Sequence, residues 1–257
     1  MLSRLKGPFF QKTLFITPSC PLRCLGCSLP EHENNTDELI AKTSHFSHPT
    51  WLNLVGGEPT SFDALPELIS FLKKKGFYLR LWTNGSHPEA NHQPLFSSVD
   101  EVGLYLPRLT HASFRFHTGR DLFESTYRTL EQIQKRPLII SHTVSFESFS
   151  SLPDLHEKAH ALKALLYLIV PPDTGLSPEQ HLYVRRYRHV KNVAVFEQKT
   201  PSHYCHGFPE TDFSGRDVTA FSAAEGFFRL KTLLANKGKL YPLRRPLLKP
   251  QRRECHH

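Results

Sequence analysis

The chain has 257 residues, 39% of them hydrophobic, and this length allows one sizeable hydrophobic core. No stretch approaches the run of roughly twenty apolar residues that a membrane span requires. The N-terminal residues continue directly into a strand pattern rather than forming a signal peptide, so we expect a cytoplasmic protein without membrane contact.

The formal net charge of +8 is concentrated near the C-terminus. Residues 229–254 contain nine Lys or Arg and the single acid Glu254, so the remainder of the chain is close to neutral. Three prolines, at positions 242, 246 and 250, interrupt this basic tail. The tail could contact RNA or an acidic protein, or remain solvated with no specific partner. Charge alone therefore does not define a nucleic-acid-binding protein.

Apolar segments of strand length recur through the chain, and helical patterns lie between several of them. The predicted strands are residues 13–17, 51–55, 77–82, 101–106, 138–144, 165–170 and 193–196. A helix is predicted over residues 62–75, because Leu65, Leu68, Ile69 and Leu72 share one face and Gly76 follows.

Two more helices are predicted downstream. One covers residues 122–134 and ends before Pro137, and the other covers residues 218–236. Strands that alternate with helices favour parallel pairing through right-handed crossovers. We therefore predict an α/β fold, a partial (β/α)6 TIM-like barrel over residues 1–215. Residues 216–257 would add a closing helix and the basic tail to the same domain.

Three of the five cysteines lie within eight residues, directly after the first predicted strand. Cys20, Cys24 and Cys27 have the spacing CxxxCxxC, which suits metal ligation better than disulfides and implies a reducing compartment. Three such thiolates could hold three corners of a 4Fe-4S cubane and leave its fourth iron without a protein ligand. They could also form a Cys3His zinc site with His32.

Two more motifs follow the second and third predicted strands. These are Gly56-Gly57-Glu58-Pro59 and Thr83-Asn84-Gly85. In this order and position, the three motifs resemble those of the radical S-adenosylmethionine superfamily. The resemblance implies one 4Fe-4S cluster on the three cysteines and S-adenosylmethionine beside it. Its cofactor-binding residues would be Gly26, through its backbone only, and the residues of the other two motifs, Gly56, Gly57, Glu58, Pro59, Thr83 and Asn84.

The resemblance also implies a reaction. Glycines allow backbone groups to approach a ligand closely, and Glu58 would accept a charge-assisted hydrogen bond from the cofactor's ammonium group. The cofactor would be cleaved reductively to a 5′-deoxyadenosyl radical that abstracts hydrogen from a substrate. An electron donor such as flavodoxin or ferredoxin would be needed. The substrate is not readable, and a partner protein, a small heterocycle, a peptide and RNA all stay open. The alternative is a non-catalytic iron–sulfur or zinc protein of the same fold.

Several polar residues near predicted strand ends are further candidates. After the fourth strand, Tyr105 and Arg108 could face the cofactor, and the sequence from His117 to Arg120 resembles a TG turn of small family members but is equally an ordinary glycine turn. On the fifth strand, Ser141 and His142 could contact cofactor or substrate, or could be buried and hydrogen-bonded.

The two remaining cysteines, Cys205 and Cys255, are too few for a second cluster. Cys205 could donate hydrogen to a substrate radical or simply pack.

Overall fold

A computed structural model describes most of the chain up to residue 197. The described residues are 10–25, 27, 29, 31–46, 50–87, 93–133 and 138–197. The predicted closing helix, the basic tail, Gly26, Cys205 and Cys255 lie outside them.

Seven parallel strands form one sheet, in which every strand pairs with its neighbours in chain order. They are β1 (Phe10–Phe15), β2 (Thr50–Val55), β3 (Tyr78–Thr83), β4 (Glu101–Tyr105), β5 (Leu138–Thr143), β6 (Leu165–Val170) and β7 (Val193–Glu197). All seven predicted strands are present, with small shifts at their ends. Six strand–helix units followed by a seventh strand make a half-barrel, which confirms the predicted fold class.

Eight helices occur in the described part of the chain, at least one after each of the first six strands. They are α1 (Thr36–Thr43), α2 (Leu65–Lys74), α3 (Gln93–Ser98), α4 (His111–Thr118), α5 (Phe123–Ile133), α6 (Phe146–Phe149), α7 (Leu152–Ala161) and α8 (Pro178–Arg186). None of these described helices has the length and apolar character needed to cross a membrane.

The two helices predicted within this region are both confirmed. Helix α2 buries the four predicted apolar residues, and Gly76 follows it with φ +88°. It begins three residues later than predicted, with a proline in its first turn, where the missing N–H costs no hydrogen bond. Helix α5 begins and ends within one residue of the prediction and buries Thr126, Thr129, Leu130 and Ile133.

Side chains alternate between the two faces of the sheet and divide the core in two. One face, carrying residues such as Leu79 and Leu81, packs against the helices in the main core. On the other face Trp82 is fully buried with Val55 and Ile139. Gly103 makes room for this indole, because a Cβ there would lie 2.1 Å from a Trp82 ring atom.

Candidate cofactor site

The three sequence motifs meet at the carboxyl ends of β1, β2 and β3, which are adjacent in the sheet. Cys20, Cys24 and Cys27 line one cavity of about 320 Å³, together with Gly57 from the neighbouring strand end. This volume is about ten times the roughly 30 Å³ that a water molecule occupies. Among the described residues, no three Cys, His, Asp or Glu side chains are arranged to hold a single metal ion. By its volume, the cavity can hold a group of several atoms.

The glycines of the second motif allow close packing against the segment that follows β1 and carries Cys20, Cys24 and Cys27, which we call the cysteine loop. A Cβ on Gly56 would lie 2.5 Å from the carbonyl oxygen of Thr17, and one on Gly57 would lie 2.5 Å from that of Ser19. The amide of Gly57 donates to Thr17 O at 2.8 Å, and that of Glu58 donates to Ser19 O at 2.8 Å. These two glycines therefore let the end of β2 approach the chain segment leading to Cys20, and their predicted approach to a ligand stays a prediction.

Glu58 joins the second motif to the third. Its carboxylate is fully buried, and Oε1 accepts hydrogen bonds from Thr83 Oγ1 at 2.7 Å, Thr60 Oγ1 at 2.8 Å and Thr60 N at 3.1 Å. Oε2 accepts one from the amide of Asn84 at 2.7 Å. Burial raises the pKa of Glu58, and these hydrogen bonds act in the opposite direction. Pro59 begins a short 3-10 turn directly after it.

Asn84 continues the connection to the first motif. Its side-chain nitrogen lies 3.3 Å from Cys20 Sγ and 3.3 Å from Gly57 O. Burial raises the pKa of the Cys20 thiol to about 12, with smaller opposing contributions from a backbone hydrogen bond at Leu22 and from Asn84. A thiolate at this position therefore needs positive charge beside it, which a bound metal group supplies.

Helix α4, which was not among the predicted helices, is hydrogen-bonded to the cysteine loop. The amide of Arg23 donates to Thr118 O at 2.8 Å, and that of Leu25 donates to His117 O at 2.9 Å. Gly119 ends the helix with φ +65°, and a Cβ there would lie 3.1 Å from Arg23 O. The glycine turn predicted to lead into α5 is therefore present, and it also carries the C-terminus of α4 to the cysteine loop.

Helix α5 holds the third motif in turn. Thr126 Oγ1 donates to Asn84 O at 3.0 Å, and Thr129 Oγ1 donates to Gly85 O at 3.1 Å. The residues at the ends of β1, β2 and β3 are thus connected to one another and to the α4–α5 pair by short hydrogen bonds.

The ends of β4 and β5 carry polar groups that lack such partners. Arg108 is 7% exposed, and among the described residues its guanidinium donates only to Pro107 O at 2.7 Å and Ser145 Oγ at 3.2 Å. No carboxylate of the described residues lies within ion-pair distance of it. Burial lowers the pKa of Arg108, while the charges of Tyr105, Glu147 and Cys24 act to raise it.

His142 and Ser141 are both fully buried on β5. His142 Nδ1 lies 2.7 Å from Leu106 O, so this nitrogen carries the hydrogen. Within the described part of the chain, His142 Nε2 and Ser141 Oγ have no hydrogen-bond partner. Burial lowers the pKa of His142 to about 4, and the charge of Arg108 acts in the same direction. The neutral ring therefore presents an unused acceptor at Nε2.

Tyr105 has a hydrogen-bond partner, and the proposed zinc ligand His32 lies outside the cavity of the cysteines. Tyr105 is buried at the end of β4, with its hydroxyl 3.3 Å from His117 Nε2. His32 is exposed, with Nε2 3.3 Å from Glu38 Oε2, and it does not line the cavity of the three cysteines. The side chains described here therefore do not form the Cys3His arrangement.

The site and fold were compared with known proteins. No protein-family model matches the chain. The Fe-coproporphyrin III synthase of Methanosarcina barkeri is 26% identical over 176 residues, which cover 62% of this chain and 44% of that protein. A probable GTP 3′,8-cyclase of Methanococcus maripaludis is 26% identical over 200 residues, which cover 72% and 64% respectively. The chain thus spans less than two thirds of the length of these relatives.

The structure of Streptococcus suis SuiB bound to the precursor peptide SuiA superposes with a TM-score of 0.58 and 12% identity. It covers 74% of this chain and 49% of that one, and at this identity the likeness shows the fold alone. These relatives, the half-barrel and the three motifs at adjacent strand ends define one class of protein. The named relatives, the fold and the motifs all indicate the radical S-adenosylmethionine superfamily.

Proposed function

We propose that the chain binds one 4Fe-4S cluster through Cys20, Cys24 and Cys27, binds S-adenosylmethionine beside it, and acts as a radical enzyme on a substrate not yet identified. One observation carries this proposal: the three cysteines line a single cavity of about 320 Å³ that also contacts Gly57, while Asn84 donates to Cys20. The cysteines, Gly57 and Asn84 follow three different strands, β1, β2 and β3.

The residues after β2 and β3 fit the amino end of S-adenosylmethionine. An ionised carboxylate offers about four acceptor positions on its two oxygens. Glu58 Oε2 uses one of its positions for the amide of Asn84, so this oxygen can accept another hydrogen bond. Pro59 and Thr83 would act by holding the carboxylate of Glu58 in place, and Gly57 would present backbone atoms to the cofactor. Gly26 is a proposed backbone contact that lies outside the described residues.

The residues after β4 and β5 fit the other polar groups of the same molecule. A buried guanidinium without a carboxylate is costly unless an anion binds beside it. Arg108 therefore supports binding of a carboxylate at this end of the site. His142 Nε2 can accept a hydrogen bond from a hydroxyl, and Ser141 Oγ can donate or accept one.

Reductive cleavage of the bound cofactor would supply a radical able to abstract hydrogen. The protein's own contribution is to orient the cofactor and to exclude water from it. Glu58 and Asn84 fix the cysteine loop, Arg108 supplies one positive charge, and Trp82 is fully buried with Val55 and Ile139 on one face of the sheet.

The substrate class is left open among a partner protein, a small heterocycle, a peptide and RNA. We propose an electron donor of the flavodoxin or ferredoxin class as the partner that reduces the cluster. The basic tail at residues 229–254 is proposed as a contact for RNA or an acidic protein. A salt-dependent RNA binding assay with the tail removed at Lys237 would separate RNA from a protein partner.

Anaerobic reconstitution tests the proposal. The protein would be loaded with iron and sulfide, reduced with dithionite and incubated with S-adenosylmethionine, and 5′-deoxyadenosine would be measured. We expect this product from the natural sequence and from the control Cys205→Ala, and neither the product nor the cluster absorbance from Cys24→Ala. A full cluster spectrum in Cys24→Ala would disprove the ligand assignment. Zinc without iron in anaerobically purified protein would favour the non-catalytic alternative.

A further inference from the structure

Two exposed apolar side chains lie on segments that are bonded to each other beside the cysteines. Leu25 is 62% exposed and Phe116 is 73% exposed. Leu25 belongs to the cysteine loop, and its amide donates to the carbonyl of His117, the neighbour of Phe116 in α4. Large apolar side chains exposed together mark interaction surfaces more often than isolated ones do.

The same surface carries positive charge. Arg23 in the loop, and Arg115 and Arg120 at the end of α4, are all exposed, and none forms an ion pair with a described carboxylate. The nearby carboxylates of Asp121 and Glu124 instead contact His111 at the start of α4. We call Arg23, Leu25, Arg115, Phe116 and Arg120 the loop patch. It combines two exposed apolar side chains with three arginines that form no ion pair with a described carboxylate, and it would attract an acidic protein surface.

The position of the loop patch in the chain indicates what that protein does. Arg23 and Leu25 stand between Cys20 and Cys27, and the three cysteines are only half-buried. A protein bound to the loop patch therefore lies against the segment that would hold the cluster. Electron-transfer contacts are typically small and steered by charge, in keeping with two apolar side chains among three arginines.

We infer that the loop patch binds an acidic one-electron donor protein of the flavodoxin or ferredoxin class. This inference rests on the proposed function, because it requires a cluster on the cysteine loop. One electron leaves the reduced donor and enters the oxidised cluster, so that the donor is oxidised by one electron and the cluster is reduced by one. The competing occupant is a peptide substrate.

The test compares two reductants of the reconstituted protein. Reduced flavodoxin must dock, whereas dithionite is a small ion that needs no docking surface. We would measure the loss of cluster absorbance for Arg115→Glu combined with Phe116→Ser. The matched control is Arg186→Glu combined with Leu182→Ser, the same changes on exposed residues of α8.

We expect the loop-patch variant to be reduced at least tenfold more slowly than the control by flavodoxin at low salt, and equally fast by dithionite. The difference should shrink as salt is added. Flavodoxin affinity, measured by titration, should fall in parallel. Equal flavodoxin rates and affinities for both variants would overturn the docking inference and assign the loop patch to another occupant. A missing cluster in the unaltered protein would instead refute the proposed function.

If dithionite reduction is also slowed, the milder changes Arg115→Gln and Phe116→Ala decide the question by the same comparison. These substitutions remove only exposed atoms of α4 and leave the loop's backbone contacts unchanged.

Discussion

The two halves of the sheet's carboxyl edge differ in how far their buried polar groups are satisfied. At the ends of β2 and β3, Glu58 accepts four hydrogen bonds, and both side-chain atoms of Asn84 are used. At the ends of β4 and β5, the described residues provide no carboxylate for Arg108 and no hydrogen-bond partner for Ser141 Oγ and His142 Nε2. Nearly all buried polar groups in proteins are paired, so such exceptions need an explanation.

The difference indicates two separate tasks. In the first half, the side chains of Glu58 and Asn84 are hydrogen-bonded without a ligand and fix the cysteine loop in advance, while two serine hydroxyls, Ser61 Oγ and Ser86 Oγ, lack a partner among the described residues. The second half becomes complete only when a molecule supplies an anion and hydrogen-bonding groups. Changes in the first half should therefore cost stability, whereas changes in the second half should cost binding and leave the ligand-free protein as stable or more stable.

The largest expected effect comes from removing the carboxylate of Glu58. Glu58→Ala would leave the donors of Thr60, Thr83 and Asn84 without an acceptor in a buried site, so we expect a loss of about 4 kcal/mol in the free energy of unfolding. Urea unfolding would measure it. The exposed Glu67 on α2 provides the control, and Glu67→Ala should change stability by less than about 0.5 kcal/mol. Equal stability of both variants would contradict the role of Glu58.

Acid should destabilise the protein through His142. Its pKa is about 4 in the folded chain and near 6.5 when unfolded, so the unfolded state binds more protons between these values. Stability conferred by the neutral ring is present above pH 6.5 and is lost as the pH falls toward 4, by on the order of 3 kcal/mol.

His142→Asn keeps a donor for Leu106 O but cannot titrate. The pH dependence of unfolding should therefore be weaker in this variant than in the natural sequence and in the exposed control His189→Asn. Part of the dependence should persist, because burial also lowers the pKa of His117 to about 4. An unchanged pH profile would show that His142 is already charged when folded.

Two arginines of the sheet region differ in whether a carboxylate of the described residues pairs with them. Arg80 pairs with Glu101 at 2.6 Å, and its removal leaves a largely buried carboxylate alone, so Arg80→Met should lower the free energy of unfolding by about 2 kcal/mol. Arg108→Met removes a buried cation with no counter-ion and should raise it by about 1 kcal/mol. S-adenosylmethionine binding should weaken about tenfold in Arg108→Met, as measured by calorimetry. A destabilised Arg108→Met with unchanged affinity would make this arginine structural.

The smallest effect concerns the two left-handed glycines that end helices. Gly119→Ala and Gly76→Ala should each cost about 1 kcal/mol, because both positions have positive φ. A Cβ on Gly119 would lie 3.1 Å from Arg23 O, whereas a Cβ on Gly76 would have no described atom within 4 Å apart from its chain neighbours. Iron loading should therefore fall in Gly119→Ala and not in Gly76→Ala. Equal loading would mean that the end of α4 does not help to shape the cysteine loop.

Much of the fold could be predicted because its strands and two of its helices have strong periodic patterns. The segments that became β1 to β7 are apolar, and α2 and α5 each bury four residues on one face. Helices α1, α4 and α8 bury at most two residues each, so periodicity does not reveal them. Their signals are local: Asn35 with Glu38 and Ser177 with Gln180 form capping boxes, and Thr110 caps α4.

The candidate site divides in the same way. Its three motifs could be predicted because each is contiguous in sequence and follows a strand. The position of Arg108 near His142 depends on the register between β4 and β5, and the contact of α4 with the cysteine loop depends on how the chain returns after β4. A further role of the glycines was also hidden, because it depends on how closely the backbone atoms of Thr17 and Ser19 approach them.

The hydroxyls of Thr126 and Thr129 have a mechanical consequence. They connect α5 by hydrogen bonds to the carbonyl groups of Asn84 and Gly85. Helix α4 is hydrogen-bonded to the segment containing Cys24, and Asn84 is hydrogen-bonded to Cys20. These hydrogen bonds join both motifs to the α4–α5 pair, which we call the helical hairpin, in one continuous circuit of contacts. A molecule that pushes the hairpin outward would therefore strain both motifs together, and neither could shift alone without breaking a link of the circuit.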